Sequence, residues 1–241
     1  GKLSLWSLLK FTEFNRAVRT NKKLINQEAA ENVIAVASTQ KLDVSPELYA
    51  KAAIDMPMKV VVYPGYVGVS SLSYFIDFED LSGNFLARVE RQSVAINATT
   101  RKPVPQIWIE KGEVQEPGQP VIVPKFTPSR ETFSYSFMIQ HSDSDHLYHT
   151  NQATFVRLCC DAAAKACNEG KLKNFSGDFF RYDVSGVLIR YLGESFPGDD
   201  LEVTLWEDPV DLDSLFFHIK RLNTVIYAAR FTYFNATTSK L

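Results

Sequence analysis

The sequence predicts an α+β protein of two tandem domains, each pairing one long helix with an antiparallel run of strands. Three observations carry this. Six of the eleven prolines lie between Pro103 and Pro128, which divides the 241 residues into 1–105, a Pro-rich linker at 106–130, and 131–241. In the second half, apolar residues at helical spacing from Gln152 to Lys171 are followed by four β-rich runs with turn signals between them. The first half repeats a coarse version of that order.

Taken in order, Leu5, Leu8, Leu9, Phe11 and Phe14 place a helix over about Leu3 to Val18. Asn21 to Asp55 reads as an insertion, in which Glu28 to Ala37 and Pro46 to Ala53 have helical composition. Leu72 to Phe78 and Phe85 to Asn97 are the clear strands of this half. Setting Phe85 against Phe216 also aligns Val94 with Val225, a weak self-match that favours duplication.

Beyond the linker, Phe133 to Gln140 alternates aromatic and small polar residues as a strand does, and the polar run His141 to His149 follows as a loop. Phe155, Leu158, Cys159, Ala162, Ala163, Ala166 and Cys167 then form one face of a long helix over about Gln152 to Lys171, with no Pro or Gly before Gly170. Val184 to Leu192, Asp200 to Trp206, Leu215 to Leu222 and Val225 to Phe234 form a meander. Its turns fall at Pro197-Gly198, Asp208-Pro209 and Leu222-Asn223.

Composition narrows the function. With 45% hydrophobic and 22% charged residues the chain buries a real core, and 26 Lys plus Arg against 28 Asp plus Glu provide no field to hold nucleic acid or an anionic membrane. No apolar run approaches the roughly 20 residues of a membrane span. Cys159, Cys160 and Cys167 are an odd, crowded set, ill suited to disulfides, and point to a reduced, intracellular protein, with cytoplasm and organelle both open.

Three of the four histidines fall within nine residues, His141-Ser-Asp143-Ser-Asp145-His146-Leu-Tyr-His149, with Asn151 just beyond. His and Asp supply bases, nucleophiles and metal ligands near neutral pH, so this strand-to-helix junction is the candidate site. A solvated capping loop is the plain alternative. A metal-dependent hydrolase using the His/Asp cluster is another, since His146 and His149 are three apart with Asp143 and Asp145 nearby. The cysteines, on an apolar helix face, read as core.

The pattern Asp143-X-Asp145-X-X-X-His149-X-Asn151 before a long helix resembles the active-site segment of hotdog-fold acyl thioesterases, and most closely that of the acyl-ACP thioesterases. Tyr191-Leu-Gly-Glu194-Ser195 is similar to that family's second motif, with Leu147 in place of its middle Asn and Ser195 at or beside the position of its Cys. Gly83 to Arg88, Val94 to Asn97 and Thr100 to Pro103 likewise resemble a hotdog domain, one without the acidic loop. The resemblance implies two hotdog domains, each an antiparallel sheet wrapped around a long helix and paired as a pseudo-dimer within one chain. It implies hydrolysis of acyl-CoA or acyl-carrier-protein thioesters without cofactor or metal. Asp145 would be the base or nucleophile, His149 would orient it or the water, Asn151 would bind the acyl carbonyl or loop backbone, and Glu194 would assist. A non-catalytic acyl-CoA or pantetheine-binding protein is the alternative reading.

Overall fold

The structure is a computed structural model that describes residues 4–20, 32–51, 57–105, 119–145 and 148–234. Helix α1 (Leu5–Thr20) precedes strand β1 (Val33–Val44), a short helix α2 (Pro46–Lys51), and strands β2 (Lys59–Val67), β3 (Ser71–Glu79) and β4 (Phe85–Asn97). The second half runs β5 (Phe133–Met138), α3 (Gln152–Asn168), β6 (Val184–Tyr191), β7 (Asp200–Glu207), β8 (Ser214–Arg221) and β9 (Thr224–Tyr233). All strand pairs are antiparallel, in the order β2-β3-β4-β1-β6-β9-β8-β7-β5. The sub-orders β1-β4-β3-β2 and β6-β9-β8-β7 are the same, so the halves are two hotdog units, each with its long helix against the sheet.

The expected pair of sheets is, among the described residues, a single nine-stranded sheet, because β1 hydrogen-bonds to β4 on one side and to β6 on the other. This corrects the sequence reading of Glu28 to Ala37 as helical: residues 28–31 lie outside the described residues, and Val33 to Ala37 open the central strand. Val33, Ile34 and Val36 are β-branched, and pairing on both sides outweighs the helical composition of so short a run. The segment is therefore not a simple insertion. Pro46–Lys51 is helical as expected, and Ala52 to Asp55 lie outside the described residues. The self-match of Phe85 with Phe216 is also out of register, since the topology sets β3 against β8 and β4 against β9.

The helices sit together on one face of the sheet. Leu5, Leu8, Leu9 and Thr12 of α1 are buried, and α1 lies against α3. Helix α3 is apolar almost all round, as a helix enclosed by a sheet and a second helix must be. It ends at Asn168, capped by Glu169 and short of the expected Lys171, and Gly170 takes φ +64° just beyond. The β8–β9 hairpin turns through Leu222 and Asn223, both at positive φ, which matches the twist of the flanking strands.

The opposite face is covered at the seam by the described end of the Pro-rich segment. Val121 donates its N–H to Gln92 Oε1 at 2.9 Å, and Val123 and Phe126 are buried with Trp206 and Ala228. Residues 106–118 lie outside the described residues. Further out on this face, Arg88 holds Asp77 through two hydrogen bonds of 2.7 Å, and the Tyr63 hydroxyl donates to the same carboxylate at 3.0 Å.

Two predictions follow from this packing. All three cysteines are buried and free, and burial pushes the Cys160 thiol up to about 12 and raises those of Cys159 and Cys167. Native protein at pH 8 should resist a thiol reagent, with three reactive thiols released only by denaturant; labelling of any of them within minutes in native protein would contradict the packing. Burial raises the Asp77 carboxyl, but the Arg88 and Tyr63 hydrogen bonds outweigh it and leave the group below its ordinary value. Its stabilisation is thus present above the unfolded carboxylate pKa and lost as pH falls through the folded one. Asp77→Asn should cost about 1 kcal/mol near pH 7 and progressively less below about pH 4 in urea titrations; an equal cost at pH 7 and pH 3 would contradict it.

Candidate functional site

The loop from Gln140 to Asn151 is built on Asp143. One Asp143 oxygen accepts the Gln140 N–H at 3.0 Å, while the other meets Arg157 Nη2, one to two turns into α3, at 2.6 Å. Its carbonyl accepts the Asn151 N–H at 2.8 Å. With both carboxylate oxygens committed to the loop and helix, Asp143 is a positioning residue, and Arg157, which the sequence did not single out, is its anchor.

Asp145 closes the next turn. Its N–H donates to the His149 carbonyl at 2.8 Å, its carbonyl accepts the Tyr148 N–H at 3.1 Å, and its Oδ1 accepts the His149 N–H at 3.1 Å. Tyr148 takes φ +61° at the tip. Asp145 and His149 are thus held together through the backbone of the loop. Of the other histidines, His141 opens an exposed 3-10 turn and His146 lies outside the described residues, as does Leu147. Among the described residues no three His, Cys, Asp or Glu side chains converge as metal ligands.

Asn151 is the N-cap of α3: its side-chain oxygen accepts the Ala153 N–H at 2.9 Å, and its carbonyl accepts the Thr154 N–H at 2.9 Å. The cap consumes the Ala153 N–H, so that group is not free to meet an oxyanion. The positive end of the helix dipole still faces the loop.

Glu194 arrives from the segment after β6. Gly193 and Leu192 donate to the Ile226 carbonyl at 3.0 and 2.8 Å, and a Cβ at residue 193 would meet Ile226 Cγ2 at 2.8 Å. Glycine there permits the close approach that sets the direction of Glu194. Glu194 Oε1 lies 3.9 Å from His149 Nδ1, too far for a direct hydrogen bond, and 2.6 Å from Arg101 Nη2. Ser195 is buried and donates its hydroxyl to Thr150 Oγ1 at 2.7 Å, while its carbonyl accepts the Thr150 N–H at 2.8 Å. It fastens the loop to this segment. The His149 ring stands edge-on to Phe196 at 5.1 Å.

All four predicted site residues therefore meet at one place: Asp145 and His149 on the loop, Asn151 at the helix start, and Glu194 opposite them. Arg101 is the residue sequence reasoning missed. It belongs to the first half, sits at φ +58° in the turn after β4, and is 93 residues from Glu194, so no local signal connects them.

No family model matches the chain, and no curated protein sequence matches it. Solved structures do. An acyl-ACP thioesterase from Bacteroides thetaiotaomicron superposes with a TM-score of 0.74 at 16% identity, covering 97% of this chain and 91% of that one. A 12:0-ACP thioesterase from Umbellularia californica gives 0.70 at 13% identity, covering 97% and 90%. Over nearly its whole length, this chain has the double-hotdog fold of those acyl-ACP thioesterases.

Proposed function

We propose that the chain hydrolyses acyl thioesters, carried on coenzyme A or on an acyl carrier protein, to a carboxylic acid and a free thiol. The observation that carries this reading is the convergence of Asp145, His149 and Glu194 beside the N-terminus of α3. The whole-chain fold likeness to acyl-ACP thioesterases supports it.

In this reading Asp145 takes a proton from water, or attacks the carbonyl itself with water hydrolysing the acyl-enzyme afterwards. For the direct route, hydroxide adds to the thioester carbon, the carbonyl oxygen gains negative charge, and the C–S bond then breaks. The thiolate leaves and is protonated. The helix dipole favours the transient oxyanion. His149 orients Asp145 or the water, Glu194 assists from the opposite side under the hold of Arg101, and Asn151 fixes the start of the helix. Asp143 has no part in the chemistry beyond shaping the loop. We also propose the division into a supporting unit, 1–105, and a site-bearing unit, 131–241, joined through 106–130.

A second reading, an acyl-thioester-binding protein without turnover, is favoured by the commitment of the Asn151 oxygen and the Ala153 N–H to each other. One experiment separates the two. Asp145→Asn keeps the shape and removes the base, so free-thiol release from acyl-CoA should fall about 10²-fold or more with the folded state unaltered. Wild-type rates in that variant would overturn the assignment of Asp145, and tight binding of acyl-CoA by wild type with no thiol release would favour the second reading.

A further inference from the structure

Along β8 the residues on the helix-bearing face of the sheet are Leu215, Phe217 and Ile219, all buried in the core, and then Arg221. The apolar row breaks at the strand end that reaches the candidate site. Arg221 Nε forms an ion pair with Asp199 Oδ2 at 2.8 Å, and the guanidinium carbon lies over the face of the Phe196 ring, 5.5 Å from its centre. Asp199 in turn closes the turn that presents Phe196. Its carboxylate accepts the Phe196 N–H at 2.7 Å, and its own N–H donates to the Phe196 carbonyl at 3.0 Å. Pro197 presets the first central position of that turn, and Gly198, at φ +90°, supplies the second, as a type II turn requires. The Asp199 carbonyl accepts the Ile139 N–H at 2.9 Å and Gly198 donates to the Ile139 carbonyl at 2.8 Å, which fastens the turn beside the start of the site loop.

Phe196 is thus held by its backbone and by a cation on its ring face. His149 is held differently. Its backbone N–H and carbonyl both bond to Asp145, but those bonds leave the two side-chain torsions free. Glu194 Oε1, 3.9 Å from His149 Nδ1, is beyond hydrogen-bond reach. The contact that sets the plane of the imidazole is the Phe196 ring, 5.1 Å away and turned 79° to it. That plane decides where the two ring nitrogens point, so it must be fixed before His149 can orient a carboxylate or a water.

We propose that Phe196 is a positioning residue for His149, and that Arg221, reaching across from β8, holds Phe196 in place. The inference rests on the acyl-thioester reading, in which His149 orients Asp145 or the attacking water. Phe196 and Arg221 act only through His149, so their loss lowers kcat and leaves KM nearly unaltered. The test measures free-thiol release from decanoyl-CoA. Phe196→Leu, which keeps the bulk and removes the ring, should lower kcat about 10-fold with KM within about 2-fold, and Phe196→Tyr, which restores a ring, should recover most of that loss. Arg221→Met, which keeps the stem and removes the cation, should lower kcat about 3-fold. In a His149→Gln background Phe196→Leu should cost nothing further, because no imidazole is left to place. Wild-type kcat in Phe196→Leu or in Arg221→Met, an equal loss in Phe196→Leu and Phe196→Tyr, or the same loss again in the His149→Gln background overturns the proposal. Should Phe196→Leu fail to fold, kcat in Arg221→Met decides alone. If wild type releases no thiol, the hydrolase reading falls, and proton NMR of the His149 ring, assigned by its loss in His149→Gln, decides the positioning role separately. A nuclear Overhauser contact between the His149 and Phe196 rings that weakens in Arg221→Met supports it; no such contact in wild type, or one unaltered in Arg221→Met, overturns it.

Discussion

Strand β1 is hydrogen-bonded on both sides, to β4 along most of its length and to β6 from Thr39 to Asp43. That second pairing turns two half-sheets into one. It removes the exposed edge each half would otherwise present at this position, and it fixes the two long helices side by side on a common face. The strap around Val121 to Phe126 crosses the same seam on the other face, tying Gln92 and Thr39 of the first half to Phe216 and Trp206 of the second. Because β1, β4 and β6 are in fixed register, the turn after β4 and the segment after β6 come to the same end of the sheet. Arg101 reaches Glu194 there and nowhere else.

The geometry of the loop depends on this frame. Asp143 is spent on backbone and Arg157, which leaves Asp145 as the loop carboxylate beside His149. Ser195 and Thr150 lock the loop to the strand end, so the Asp145 and Glu194 sides are held by buried hydrogen bonds in place of a flexible approach. Preorganisation of this kind is what the proposed carboxylate-assisted hydrolysis needs, since groups that must reorganise during the reaction contribute less to the rate.

Much of this was legible in the sequence. The long helix of the second half begins at Gln152 as its cap residues indicate, and the four strands after it fall within a residue or two of their predicted ends, because Gly and Pro turns punctuate them. Asp145, His149 and Asn151 were legible because they share one loop. The central strand was not, since Val33 to Ala37 is a short apolar run whose periodicity does not separate strand from helix, and its identity comes from two partners distant in sequence. Arg101 was hidden for a related reason: it acquires its meaning from the register of strands, which no local pattern encodes.

The central claim is that the first half takes part in the chemistry through the seam. A double-mutant cycle on Arg101 and Glu194, read as kcat/KM for acyl-CoA hydrolysis, addresses it most directly. If Arg101 acts by holding Glu194, Arg101→Ala and Glu194→Gln should each lower kcat/KM, and the double variant should be little worse than Glu194→Gln alone. Strictly multiplicative losses, or an Arg101→Ala variant as active as wild type, would show that the two halves share a sheet but not a site.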